Sequence, residues 1–300
     1  MSEHHNIFGK FKCFEGEVKP GFQRNFTGAM LREEFFLRKP TYSESRLIAT
    51  EYPKFDNEYF EWIDILESVT GAKDKFTMVE LGAGYGRWLV NAAMALRSYS
   101  NLPCLLIGVE AEPTHFRWLK QNLRDNGIKQ TEYKLIRAAI SDKCGKEWFN
   151  MGYPREWYGQ AILAENRRKT KRIFGLFNRV EGPTLPLENR SVKTYPKKVK
   201  AVSLKEILYP LNSVDLIDID IQGAELKVLE NSKKELNQKV KKVHIGTHGQ
   251  DIEDGLRKMF NELGWKNIND YPHGSINETP YGKIKFGDGV QTWVNPRFIH

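Results

Sequence analysis

No run of apolar residues in the chain approaches the roughly 20 that would carry a helix across a bilayer. The opening Met1-Ser2-Glu3-His4-His5 has no hydrophobic stretch of the kind found in a secretion signal. Cysteine is scarce: Cys13, Cys104 and Cys144 are scattered and odd in number, with no C-x-x-C pair to form a zinc site or a redox couple. A reducing cytoplasm is the expected setting. Internal repeats and low-complexity tracts are absent too. What is present, 40% hydrophobic and 12% aromatic residues over 300 positions, suffices for one large α/β core with additions and excludes wholesale disorder.

The formal charge is +8, and its location says more than its sum. Between Met151 and Lys200 twelve Lys and Arg stand against four Glu, so the excess sits in one segment. We read 151–199 as a basic insertion over the strand ends, a substrate lid suited to an anionic glycan, a phosphorylated lipid or nucleic acid. A solvated surface lobe fits the same charge equally well.

Residues 1–70 form an aromatic-rich extension, irregular until Tyr59, Trp62, Ile63 and Leu66 recur at helical spacing. From Phe76 short apolar runs alternate with amphipathic stretches, the mark of βαβ units and a parallel sheet. The spacing predicts strands at Phe76–Leu81, Leu105–Glu110, Tyr133–Arg137, Val214–Ile221 and Lys241–Thr247. Between them it predicts helices at Tyr85–Leu96, Thr114–Asn126, Leu204–Leu208, Ala224–Lys233 and Ile252–Leu263. Thr114 suits an N-cap, Gly127 and Gly264 suit helix ends, and Asp251 and Asp254 suit the last helix's start. Lys283–Phe286 and Val290–Val294 flank Gly287-Asp288-Gly289 and predict an antiparallel hairpin at the sheet edge.

Val79-Glu80-Leu81-Gly82-Ala83-Gly84-Tyr85-Gly86 sets a glycine-rich turn between a strand and a helix, where backbone can approach a cofactor without a Cβ clash. Its G-x-G-x-G spacing favours S-adenosylmethionine (SAM) over a dinucleotide. Glu110 ends the second strand 24 residues after Gly86, near the spacing at which an acid accepts hydrogen bonds from both ribose hydroxyls. Glu80 suits the cationic methionyl amine, or equally the backbone N–H groups of the loop. Ala138 and Ala139 leave room for a flat adenine, or simply pack under a turn.

In Val214-Asp215-Leu216-Ile217-Asp218-Ile219-Asp220-Ile221-Gln222-Gly223-Ala224-Glu225, alternation puts Asp218, Asp220 and Gln222 on one face. Carboxylates in a central parallel strand are expensive unless paired, hydrogen-bonded or metal-bound. The next strand places His248 at its carboxyl end, where ligands bind in open α/β sheets. Methyl transfer needs alignment and removal of a hydroxyl proton, so Asp220 or His248 can act as the base. Alternatively, Asp218, Asp220 and His248 hold a divalent cation that lowers the hydroxyl pKa.

Three blocks, Val79–Trp88, Ile107–Leu123 and Val214–Leu229, together with Lys200–Leu208 and Arg137–Asp142, resemble the FkbM family of methyltransferases. The last of the three ends its strand in I-D-x-x-G-A-E, as that family does. The resemblance covers roughly Phe76–Gly264 without most of 151–199 and implies a SAM-dependent O-methyltransferase acting on glycan or polyketide-like hydroxyls; we read residues 71–300 as its domain. The fold it implies is a Rossmann-like, mostly parallel seven-stranded sheet with helices on both faces and an antiparallel C-terminal hairpin. It carries a cofactor role to Gly82, Gly84, Gly86 and Glu110, and a site role to Asp220 and Glu225. The sequence departs from the family at Asp218, where lysine is usual, and at Gln222, where an acid is usual. Two alternatives stand beside it. Tyr153, Trp157, Tyr158, Phe174 and Phe177 in the basic insertion suit a nucleic-acid methyltransferase, although the N-P-P-Y-like turn of base amino-group methylation is absent. A catalytically silent SAM-binding module would keep the glycine turn and dispense with Asp220 and His248.

Overall fold

The central sheet begins where β-branched and aromatic residues first run together. β1 (Phe76–Leu81) is buried along its whole length, as a strand covered on both faces must be. α1 (Tyr59–Gly71) precedes it, and α2 (Arg87–Tyr99), β2 (Cys104–Glu110), α3 (Pro113–Asp125) and β3 (Tyr133–Arg137) follow. The second half runs α4 (Leu204–Leu208), β4 (Val214–Ile219), α5 (Glu225–Glu230), α6 (Lys233–Lys239), β5 (Val240–Thr247), α7 (Gln250–Glu262), β6 (Lys266–Tyr271) and β7 (Gly289–Val294). The computed structural model describes residues 3–36, 41–152, 161–163, 185–187, 190–192 and 195–298. Its seven-stranded sheet has the order β3-β2-β1-β4-β5-β7-β6. The first five strands of that order are mutually parallel, and β7 is antiparallel to both of its neighbours. This is the expected Rossmann-like α/β fold.

Strand alternation divides the side chains between two layers. Val79, Leu81, Ile217, Ile219, Val243 and Ile245 pack with Ile207, Leu229, Leu236 and Phe260 of α4 to α7. Phe76, Met78 and Leu216 pack on the other face with Ile65, Leu89 and Leu119 of α1 to α3. Toward the carboxyl ends of the strands this second layer turns polar. The register pairs Glu80 with Asp218, Asp218 with His244, and His244 with Thr292, so a polar row crosses β1, β4, β5 and β7.

From α1, Asp64 closes part of that row. It accepts hydrogen bonds from Lys242 Nζ and Thr292 Oγ1 and lies 2.7 Å from His244 Nδ1. Burial opposes its charge, but Lys242 and the bonds from His244 and Thr292 outweigh burial and hold the carboxyl below its ordinary range.

Three expectations change. The edge hairpin does not join Lys283–Phe286 to Val290–Val294: β7 pairs with β5 and β6, while Ile276–Thr279 pairs with Gly282–Lys285 in a separate hairpin. β6 escaped the hydrophobic pattern because it is an edge strand of mostly polar residues, Lys-Asn-Ile-Asn-Asp-Tyr. The helix expected over Ala224–Lys233 divides into α5 and α6 at Ser232, a fully buried residue whose hydroxyl donates to the Val228 carbonyl. The N-cap of α3 is Glu112 rather than Thr114, because Pro113 takes the first helical position and the Glu112 carboxylate accepts the His115 N–H at 2.6 Å.

The N-terminal extension adds two small antiparallel pairs, Glu15–Val18 with Arg46–Ala49 and Phe22–Arg24 with Met30–Arg32. The basic insertion lies largely outside the described residues, but its two ends are clear. Gly145–Met151 and Tyr195–Ser203 pair antiparallel from Met151 opposite Tyr195 to Gly145 opposite Ala201.

Removing a buried carboxylate that neutralises Lys242 and holds His244 and Thr292 leaves the lysine charge uncompensated. Asp64→Ala is expected to lose about 3–5 kcal/mol of unfolding free energy, as is typical of breaking a buried pair. Urea denaturation followed by circular dichroism checks this; a loss below about 1 kcal/mol, the range of exposed pairs, contradicts the assigned role.

Candidate active site

A cleft of about 520 Å3 opens at the carboxyl ends of the parallel strands, where the strand order reverses between β1 and β4. The glycine turn forms its floor. Gly82, Gly84 and Gly86 all adopt left-handed φ values, of 82°, 53° and 72°. Two of them are also required by the chain's own packing. A Cβ on Gly82 would lie 1.9 Å from the Asp220 carbonyl oxygen, and one on Gly86 would lie 2.2 Å from Leu119 Cδ1. The Gly84 amide instead points at an acid, donating to Glu110 Oε2 at 2.8 Å.

Glu110 ends β2, and its other oxygen accepts the Glu112 N–H at 2.6 Å. Burial pushes its carboxyl up to about 7 against the pull of these backbone bonds. Beside it, Ala138, Ala139 and Ile140 line the same cleft, and Ala139 packs with Ala111, Phe149 and Met151 in a small apolar patch. An acid fit to accept hydroxyl protons thus adjoins a flat apolar wall.

On the α1 side the cleft reaches the polar row. Glu80 receives the Leu89 N–H from the first turn of α2 at 3.3 Å, and burial together with the neighbouring Asp218 holds its carboxyl well above the usual range. Burial and Asp218 do the same to Glu61. Asp218 is raised by burial, which outweighs the opposing His244 charge and the Glu61 hydrogen bond. Ligand atoms of Glu61, Asp218 and His244 all lie within 4.8 Å of one another. The structure therefore groups Asp218 with Glu61 and His244, not with Asp220 and His248. Sequence reasoning passed over Glu61 because it lies outside every motif. The available signal was the pair Glu61 and Asp64, two acids one turn apart in the apolar first half of α1.

Asp220 and His248 do converge. β4 ends at Ile219, so Asp220 leaves the sheet and its side chain is 59% exposed to the cleft. Gln222 then turns at φ 51°, a left-handed conformation that no other non-glycine residue adopts among those described. Its Nε2 donates to Asp220 Oδ1 and lies 2.9 Å from His248 Nε2. Glu225, wholly buried, is 2.8 Å from His248 Nδ1 through Oε1, while its Oε2 is buried without a hydrogen-bond partner among the described residues. Asp220 and Asp288 each lie 3.5 Å from His248 Nε2.

Burial disfavours the imidazolium, but the hydrogen bond and charge of Glu225, with Asp220 and Asp288, override it and lift His248 to about 9. The Gln222 amide as oriented pulls the other way, since donation to Nε2 requires a neutral ring. Three carboxylates outweigh one neutral amide that can be turned over, so we assign the imidazolium at neutral pH. Although its side chain is open to the cleft, the surrounding walls strip enough water from Asp220 to push it up to about 6, and His248 moderates the shift. At neutral pH the carboxylate is thus free to accept a proton and the histidine is not.

Among the described lining residues seven are carboxylic acids, Glu58, Glu61, Glu80, Glu110, Asp218, Asp220 and Asp288, against Arg87 as the one lysine or arginine. Phe149 and Ile162, at the root of the insertion, reach the cleft. Tyr153, Trp157, Tyr158, Phe174 and Phe177 lie outside the described residues. No described helix is long and apolar enough to cross a membrane.

Residues 80–264 match a family model described as the methyltransferase FkbM domain. A relative from Jannaschia sp. (strain CCS1), itself only provisionally named a methyltransferase, is 25% identical over 97% of this chain and 98% of its own. Among solved structures, a methyltransferase FkbM from Methylobacillus flagellatus KT aligns at 11% identity over 73% of this chain, with a TM-score of 0.42. The alignment covers 44% of that structure's chain. A precorrin-6y C5,15-methyltransferase from Geobacter metallireducens GS-15 aligns at 9% identity over 77% of this chain and 86% of its own, with a TM-score of 0.39.

The protonated state of His248 is directly measurable. Its ring resonances are expected to titrate with a midpoint near 9, and Glu225→Gln to bring that midpoint down. NMR titration of the imidazole protons checks both; a wild-type midpoint in the ordinary histidine range, about 6.5, contradicts the assignment.

Proposed function

The chain belongs to the FkbM methyltransferase family, and from that premise we propose that it is a SAM-dependent O-methyltransferase with Asp220 as its general base. SAM would supply an electrophilic sulfonium methyl group. The donor set fits it: Glu110 would hold the ribose hydroxyls, Ala138, Ala139 and Ile140 would flank the adenine, and the Gly82–Gly86 turn would carry the methionyl portion. Glu80 is our candidate for the donor's ammonium.

The observation that carries the reading is the placement of Asp220, an acid just beyond the end of β4 that opens onto the cleft and lies 3.5 Å from His248. A base works best when its pKa lies near the working pH. Asp220 would accept the acceptor hydroxyl's proton at a carboxylate oxygen as oxygen attacks the methyl carbon. His248, already protonated, would not compete for that proton; its charge would orient the carboxylate and keep it ionised. Glu225 would hold the imidazole in place through Nδ1.

The acid-rich walls suit a cationic methyl donor and a neutral hydroxyl acceptor, such as a sugar, better than an anionic one. The three free thiols, Cys13, Cys104 and Cys144, accord with a cytoplasmic location.

Two measurements test the reading. Ribose hydroxyls donate hydrogen bonds, so they favour the ionised form of Glu110. Affinity for SAM is therefore expected to fall as pH drops through about 7, and Glu110→Gln to flatten that dependence. Isothermal titration across this range checks it, and a pH-independent wild type would count against the ribose role. Asp220→Asn is expected to bind SAM normally yet lose about 10²–10⁴-fold in transfer to a sugar hydroxyl, the usual worth of a general base. The readout is S-adenosylhomocysteine release over a sugar panel. Unchanged turnover in the variant would remove Asp220 from the mechanism.

A further inference from the structure

We propose that Glu61, Asp218 and His244 bind a divalent transition-metal ion on the α1 side of the cleft. The three side chains come from α1, β4 and β5, each offers a ligand atom within 4.8 Å of the other two, and all three line the cleft. One imidazole nitrogen with two carboxylate oxygens is a set that Mn²⁺ or Zn²⁺ accepts.

The second observation is the state of His244. The residue is 3% exposed, and its Nδ1 is committed to Asp64 at 2.7 Å. Nε2 has no hydrogen-bond partner among the described residues. Asp64 is itself fixed by Lys242 and Thr292. A carboxylate gripping one ring nitrogen so that the other presents its lone pair is the arrangement that supports metal-bound histidines.

Charge points the same way. Lys242 is occupied by Asp64 and Glu67, and Arg87 by Glu58. Among the described residues no lysine or arginine forms an ion pair with Glu61 or Asp218; the two carboxyl groups hydrogen-bond each other, and a bound ion would take the place of the proton between them. With three protein ligands the remaining coordination positions open toward the cleft. A hydroxyl oxygen entering there would complete the shell and lose its proton more readily. The site stands on these residues alone and does not depend on the methyl donor.

The test uses the full chain, stripped with a chelator and titrated with Mn²⁺ in the absence of SAM by calorimetry and electron paramagnetic resonance. One ion per chain is expected, with a histidine-nitrogen coupling that vanishes in His244→Gln. Asp218→Asn and Glu61→Gln should each weaken binding by at least about tenfold, while Asp64→Asn weakens it by about 10–100-fold as a supporting residue. Glu61 is only partly buried, so Glu61→Gln keeps the test open if a core variant fails to fold. The proposal is overturned by the absence of stoichiometric Mn²⁺ or Zn²⁺ binding. It is equally overturned if binding survives Glu61→Gln and Asp218→Asn, or if Asp220→Asn abolishes it. Weakened SAM binding in Glu61→Gln without any metal binding would assign the row to the donor's ammonium and also reject the metal.

Discussion

The organisation of this protein depends on keeping ionisable groups at the ends of a sheet that is buried on both faces. Asp64 shows how this is done. One carboxylate from α1 binds β5 through Lys242 and His244 and β7 through Thr292, joining the helix that precedes the sheet to its two latest neighbours in that layer. Apolar packing alone would let α1 slide along its stripe; three groups meeting at one carboxylate give it a fixed position. The acids that line the cleft are presented from that position.

The consequence is a cleft divided into zones by protonation. Glu110 sits near neutrality at the apolar wall, Asp220 is an anion at the floor, and His248 is a cation behind it. Glu61, Glu80 and Asp218 resist ionisation at the α1 side. Residues only a few positions apart in sequence, such as Asp218 and Asp220, occupy different zones because the strand ends between them.

That strand end also marks how far the sequence could be read. Val79–Gly86 and Glu110 were legible because strand, glycine turn and acid form a local pattern whose spacing carries its own geometry. Asp220 and His248 were legible as neighbours because both follow parallel strands. The partnership of Asp218 was not, since alternation was extended past Ile219, where the backbone turns away. Glu61 and His244 were invisible as a pair because their meeting depends on which face of α1 lies over which row of β5. The edge strand β6 was missed for a different reason: half-exposed edges need no apolar alternation, so the pattern that reveals central strands is silent there.

The strand pair Gly145–Met151 and Tyr195–Ser203 has a consequence for how such a chain can diversify. Met151 stands opposite Tyr195 across this ladder, and on its other side the Asn150 N–H donates to the Ala161 carbonyl and the Leu163 N–H to the Trp148 carbonyl. To the rest of the protein the basic segment is a closed junction whose two ends are pinned by a ladder. The entropy of closing a loop rises only with the logarithm of its length. Residues beyond that junction can therefore lengthen, shorten or change sign of charge at little thermodynamic cost to the sheet. Phe149 and Ile162, at the root, are the described residues of this region that line the cleft. On the proposed function, changes in that segment would alter what meets the acceptor while leaving the Gly82–Glu110 end of the cleft as it is.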